Sequence, residues 1–123
     1  MNMQGTMVLT VRGRNTGEPR SVVVNPLELD GATYLMSPRG ETQWVKNLRA
    51  DADARLALHR GSSRNDYLAM ETHDEELKFR VLRSDLDHWS WQVKSLMGVS
   101  KESPDEDLRA IIAKHPVFVL TRK

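Results

Sequence analysis

Gly13-Arg14-Asn15-Thr16-Gly17-Glu18-Pro19-Arg20 is a turn, and the residues on either side of it decide what fold the chain can make. Two glycines and a proline within eight positions favour a tight reversal over any regular element. Before the turn, Thr6 to Arg12 is β-rich. After it, Arg20 to Leu27 carries Val22-Val23-Val24, a run too short for a helix and typical of a buried strand. Asp30-Gly31 is a two-residue hairpin signal, and Thr33 to Ser37 reads as a third strand. The expectation is a three-stranded antiparallel meander.

Downstream the pattern alternates. Pro38-Arg39-Gly40 breaks the sheet, and Thr42 is placed to cap a short helix from Gln43 to Ala50 with Trp44, Val45 and Leu48 as its apolar positions. Arg55 to His59 reads as a strand with Leu56 and Leu58 on one face. Gly61 to Asp66 reads as a loop and Tyr67 to Thr72 as a further strand. From Asp74 to Met97 the period becomes helical, with Leu82, Leu86, Trp89, Val93 and Leu96 on one stripe, divided in two around Ser84 and Asp85 and ended by Gly98. Ser103-Pro104-Asp105-Glu106 has the layout of a capping box with proline at the first helical position, opening a helix to about Lys114. Pro116 stops it, and Val117 to Thr121 supplies a last strand. Antiparallel strands dominate, so residues 1–123 are expected to form one mainly β, α+β domain: a small closed or partly closed barrel with helices on one side.

Composition narrows the function. A chain of 123 residues with 39% apolar and 28% charged residues has the make-up of one soluble globular domain. No run approaches the length of a membrane span, Met1 to Thr6 lacks a signal-peptide layout, and there is no cysteine. The expected address is the cytoplasm. Net charge is +1, which argues against a general nucleic-acid binder. The front of the chain is mildly cationic, with Arg12, Arg14, Arg20, Arg39, Lys46 and Arg49 against Glu18, Glu28, Asp30 and Glu41. Basic residues in or beside turns suit a small anionic ligand.

His59, His73, His88 and His115 are too scattered for a metal site, no G-x-S-x-G elbow is present, and the glycines match no G-x-G-x-x-G spacing. Two segments remain. The turn Gly13 to Arg20 offers backbone N–H groups, a threonine hydroxyl and two guanidinium forks, the donor set for a phosphate or carboxylate; it also reads as a solvated hairpin. The segment Met36 to Arg49 is a strand end, a glycine loop and a helix start, an arrangement that binds anions through unpaired N–H groups, with Trp44 as an aromatic face. It reads equally as a core anchor beside solvated charges.

Together the segments resemble the deazaflavin-dependent nitroreductase family, within the flavin and deazaflavin oxidoreductase superfamily. The resemblance rests on Gly13-Arg14-Asn15-Thr16-Gly17-Glu18-Pro19-Arg20, Asp30-Gly31, Ser37-Pro38-Arg39-Gly40 and Trp44-Val45-Lys46-Asn47-Leu48-Arg49-Ala50, in order over residues 8 to 60. It implies a split β-barrel, like the FMN-binding proteins, that binds coenzyme F420, an 8-hydroxy-5-deazaflavin with a phospholactyl-oligoglutamate tail. Carried over by position, the coenzyme-binding residues are Arg14, Asn15, Thr16 and Arg20 from the turn, Met36, Ser37, Pro38 and Arg39 from the strand end, and Gln43, Trp44, Val45, Lys46 and Asn47 from the helix start. Asn15 and Arg39 each stand where the family commonly has lysine.

The implied activity is hydride transfer from the reduced deazaflavin to a small electron-poor acceptor such as a quinone or activated alkene, by a monomer or homodimer. FMN as the redox partner, and a non-catalytic carrier of a flavin, deazaflavin or tetrapyrrole, are the alternatives. No catalytic residue is assigned; Ser37, Tyr67 and His115 are candidate proton donors, and Trp89, Trp91 and Met97 candidate walls of the substrate side. The chain departs from the family in lacking an N-terminal segment before the first strand, in a shorter loop between Gly40 and Trp44, and in having no tyrosine from Asp105 to Lys123. A nitroimidazole substrate is therefore not implied.

Overall fold

The computed structural model describes residues 6–59 and 63–123, and their side chains except at 88–96. Met1 to Gly5, Gly61 and Ser62, and the side chains of Trp89, Trp91, Val93 and Leu96 thus lie outside the described residues. Among the described residues seven strands build one sheet: β1 (Met7–Arg12), β2 (Pro19–Val24), β3 (Leu27–Leu29), β4 (Ala32–Met36), β5 (Asp53–Ala57), β6 (Arg64–Thr72) and β7 (Val117–Arg122). Every pairing is antiparallel, in the order β2-β1-β5-β6-β7-β4-β3.

That order forces curvature. β2 and β3 are the two outer strands, yet only Asn25 and Pro26 separate them in the chain. A flat sheet of this width would hold its edges roughly 28 Å apart, whereas the steps from Val24 to Leu27 reach about 11 Å at most. The sheet therefore curls until its edges approach, which makes a split β-barrel.

The expected meander is corrected by the same residues. Proline has no N–H for the ladder and a fixed φ, so buried Pro26 ends β2, and the chain re-enters the sheet at its other edge as β3. The hairpin at Asp30-Gly31 does form: both residues have positive φ, 52° and 80°, and β3 pairs with β4 across them. Val22 and Val23 prove exposed rather than buried, because β2 is an edge strand. Leu58 lies beyond the end of β5 and is 62% exposed, so it shares no face with buried Leu56.

The barrel interior follows the period-2 alternation of its strands. Met7, Leu9 and Val11 of β1, Leu56 of β5, Tyr67 and Ala69 of β6, and Phe118 and Leu120 of β7 all face inward. Val45 and Leu48 of helix α1 (Gln43–Ala50) plug the same core.

Helix α2 (Glu75–Met97) is continuous through Ser84 and Asp85, against the expected division. Asp74 caps it, its Oδ1 accepting from the N–H groups of Glu76 and Leu77 at 3.0 and 3.2 Å. Leu82 and Leu86 of α2 pack with Leu108 of α3 (Asp105–Ile111) and Ile112 of a following 3-10 turn (Ile112–Lys114). Ser103 does not cap α3: its hydroxyl accepts from the Ser100 N–H at 2.9 Å, and Pro104 takes the cap position. Among the described residues no helix is long and apolar enough to cross a membrane.

Candidate functional site

The turn after β1 is built by its own backbone. Gly13 N–H donates to the Glu18 carbonyl and Gly17 N–H to the Gly13 carbonyl, both at 2.8 Å, while the Thr16 hydroxyl accepts from the Glu18 N–H at 3.2 Å. This closed turn is fastened to α1 through Asn47. The Asn47 amide oxygen, on a residue only 4% exposed, accepts from Arg14 twice: from its backbone N–H at 3.1 Å and from Nη1 at 2.8 Å. Arg14 Nη2 donates to Gln43 Oε1 at 2.8 Å. Two segments about thirty residues apart in sequence are thereby locked side by side. Asn47→Ala strands the Arg14 donors and should cost about 1–3 kcal/mol in denaturant unfolding. A loss too small to measure would mean that the turn does not depend on this amide.

The loop from β4 to α1 is held as tightly. The Ser37 N–H donates to the Pro116 carbonyl at 2.9 Å, and the Ser37 hydroxyl donates to the Gly40 carbonyl at 2.7 Å. Gly40 has φ 80°, which strains any other residue, and a Cβ there would crowd the Lys114 carbonyl oxygen at 3.3 Å. Helix α1 then starts at Thr42 without a side-chain cap; its first intrahelical bond is Lys46 N–H to the Thr42 carbonyl at 3.2 Å. The amides of Gln43, Trp44 and Val45 precede that bond and are the unpaired donors of the helix start.

These segments border one cavity of about 830 Å³. Arg14, Asn15, Thr16, Arg20, Met36, Ser37, Pro38, Arg39, Gln43, Trp44 and Asn47 all line it. Two of the expected residues do not. The Val45 side chain is fully buried in the barrel core, and Lys46 is exposed away from the lining.

The cavity's charge is uncompensated. Among the described residues, Arg14, Arg20 and Arg39 make no ion pair, whereas arginines elsewhere do: Arg12 with Asp51 and Asp53, Arg83 with Asp105, and Arg109 with Glu76. Arg49, on α1 outside the cavity, sits between Glu41 at 2.5 Å and Glu71 at 2.7 Å, and its hydrogen bonds hold both carboxyls below their usual range. Three unpaired guanidinium groups around one concave surface create a positive field that draws in an anion.

The walls between them are apolar. Val22, Val23 and Val24 of β2 line the cavity along with Met36 and Trp44, whose ring packs at 5.9 Å and 50° against Phe118. The sequence reading missed the valines because their run looks like a buried strand; the edge position that exposes them is set by long-range pairing. It missed Asp85 as well. This α2 residue lines the cavity, is 6% exposed, and leaves Oδ1 without a hydrogen-bond partner; burial pushes its carboxyl up to about 7. The available signal was an acid beside Leu86, on the flank of the apolar stripe. Thr42 Oγ1 is a second buried, unpartnered oxygen on this wall.

Of the candidate proton donors, only Ser37 reaches the lining, and its hydroxyl is committed to Gly40. Tyr67 is in the barrel core. His115 meets the Ser37 carbonyl through Nδ1 at 3.1 Å, and its imidazole is held below its usual value chiefly by burial.

The donor set and the cavity fit a flat ring with a polyanionic tail. A volume near the top of the usual range for small-molecule sites admits a tricyclic ring. Unpaired arginines and helix-start amides suit phosphate and carboxylate oxygens.

Residues 1–102 match the family described as F420H(2)-dependent quinone reductase. No curated protein is significantly similar in sequence. Among solved structures, a conserved hypothetical protein from Mycobacterium tuberculosis superposes with a TM-score of 0.71 at 18% identity, over 96% of this chain and 72% of that one. General Stress Protein 26 from Bacillus anthracis gives a TM-score of 0.64 at 16% identity, over 97% and 80% of the two chains. An F420-H2 dependent reductase gives 0.56 at 20% identity, over 94% and 93%. At these identities the likeness is one of fold.

Proposed function

We propose, from the premise that this chain belongs to the F420H(2)-dependent quinone reductase family, that it reduces a quinone or another electron-poor ring in the cavity between β2, β4 and α1. The family is one of F420-dependent oxidoreductases, and one structural neighbour is itself an F420-H2 dependent reductase. The observation that carries the site assignment is the single cavity bordered by both cationic loops.

When bound, the reduced deazaflavin supplies the hydride, so no side chain need act as a nucleophile. The residues divide the remaining work. Arg14, Arg20 and Arg39, all at the cavity wall, would take the phosphate and carboxylates of the tail. Asn15, Thr16 and the amides at the start of α1 would add neutral donors. Trp44, Met36 and Val22 to Val24 would flank the ring and exclude water from its face. Asn47 and Gln43 hold the Arg14 fork in place before any ligand arrives, which lowers the ordering cost of binding.

Arg14→Ala and Arg39→Ala should each weaken F420 binding by about 1–3 kcal/mol, the range for a lost charged hydrogen bond, or roughly 5- to 150-fold in Kd. Quenching of coenzyme fluorescence measures this. Arg39 is the cleaner probe, since its exposed side chain makes no ion pair among the described residues, whereas Arg14 is bonded to Asn47 and Gln43. Oxidation of reduced F420 in the presence of menadione then separates an enzyme from a carrier. No turnover across a panel of quinones would remove the proposed acceptor class.

A further inference from the structure

We propose that Asp85 is the proton donor of this site, standing protonated in the cavity wall and delivering its proton to the acceptor oxygen as the hydride arrives. This rests on the assignment of the cavity to coenzyme and acceptor. Three observations converge on it. Asp85 is the one α2 residue in the lining among those described, and it is buried where Arg14, Arg20 and Arg39 reach solvent. Its Oδ1 has no hydrogen-bond partner in the protein, an arrangement that leaves a buried carboxyl free to serve a ligand. Ser37, Tyr67 and His115 are each committed elsewhere or away from the cavity.

Burial alone raises this carboxyl to about 7, so that it is protonated below neutral pH and about half protonated at pH 7. The charged and titratable groups of β3, α3 and the 3-10 turn, which pack against α2, are Glu28, then Asp105, Glu106, Asp107 and Arg109, then Lys114 and His115; Glu71 of β6 and Arg49 of α1 act on α2 at Lys78, and Asp30 pairs with its Arg80. Tyr34 is the only other titratable side chain on β4. Arg109 is taken by Glu76 and Asp105 by Arg83, and none of these groups contributes to the Asp85 shift. Arg14, Arg20 and Arg39 line the same cavity. An anionic tail that neutralises them would help keep Asp85 protonated in the loaded enzyme.

The step balances. The hydride brings the quinone its two electrons and one hydrogen. The Asp85 O–H bond breaks as an O–H bond forms on the acceptor oxygen, giving the hydroquinone. The carboxylate recovers its proton from the one that the reduced coenzyme gives up on oxidation, through solvent. A carboxylic acid with a value near the working pH is well matched to this duty.

The test begins on the protein without coenzyme. Carboxyl carbon NMR should find one aspartate titrating near neutral pH, and that signal should vanish in Asp85→Asn. An Asp85 that titrates in the ordinary aspartate range overturns the proposal. With F420 and menadione, Asp85→Asn should bind the coenzyme within about twofold of wild type. Its kcat should fall by roughly 10²–10⁴, and the decline of kcat with rising pH through neutrality should disappear. Normal turnover with the same pH limb overturns the role of Asp85 and leaves the coenzyme site standing. Failure of the wild-type protein to bind F420 overturns the site and this role together. Asp85→Glu, which keeps the acid, should restore part of kcat; a variant as slow as the asparagine one, with a normal thermal melt, would point to a purely positional requirement and count against proton donation.

Discussion

Phe118→Ala should cost the fold about 3–5 kcal/mol, the usual range for truncating a fully buried phenylalanine. Phe118 is 1% exposed and sits on β7, between β6 and β4. It shares the barrel core with Leu9, Leu35 and Leu56, and its ring carries Trp44. The loss combines the transfer term for the ring with a cavity that strands paired on both sides of β7 cannot collapse to fill. Denaturant unfolding measures it directly. Because Trp44 rests on this ring, coenzyme affinity should fall as well, even in the fraction that stays folded. A variant of near wild-type stability would mean that the barrel core is looser than described.

The second large effect is one of pH. Asp85 has its carboxyl raised from the ordinary 3.8 to about 7 by burial alone. Below about pH 4 the folded and unfolded chains both hold this proton. Between there and pH 7 only the folded chain does, so unfolding releases it and wild-type stability from this group falls as pH rises. Beyond the folded value the loss is complete. At about 1.4 kcal/mol per pH unit, the whole span amounts to about 4 kcal/mol. The asparagine variant, uncharged at this position throughout, escapes the penalty.

The stability of Asp85→Asn relative to wild type should therefore climb between about pH 4 and 7 and level off beyond. The carboxylates held low by arginine, Glu41, Glu71 and Glu76, lose their contribution as pH falls, but they do so equally in both proteins and cancel in the difference. Unfolding curves at about pH 4, 5.5, 7 and 8 read this out. A difference that does not change with pH would place Asp85 in contact with water. A stabilised but slow variant is the exchange expected of a group kept in an unfavourable setting for its chemistry.

The parts of the molecule legible in the sequence are those fixed by neighbours in the chain. Asp30-Gly31 closes a hairpin because positive φ at two successive residues is a local requirement. The turn at Gly13 to Arg20 and the start of α1 at Thr42 carry their own backbone signals, and eleven of the residues assigned to coenzyme binding line one cavity. What escaped depends on partners far away in the chain. Val22 to Val24 has the composition of a central strand, but only the pairing of β1 with β5 on its other side makes β2 an edge. Pro26 marks a break, yet its consequence, sending β3 to the far side of the sheet, needs β7 to lie beside β4. Val45 looks like a member of the site because it stands between Trp44 and Lys46, while the roughly 100° step of a helix turns it into the barrel. Asp85 reads as an interruption in an apolar stripe; its burial beside a ligand-sized space is a tertiary fact.

The proposed coenzyme site depends on both loops gripping one tail. The most direct test is a fluorescence titration with F420 and with the same deazaflavin stripped of its phospholactyl-oligoglutamate tail, with FMN alongside. F420 should bind at least tenfold more tightly than the tail-free ring, and Arg39→Ala should shrink that gap. Equal affinity for the two deazaflavins, or tighter binding of FMN, would contradict the assignment of Arg14, Arg20 and Arg39 to the tail.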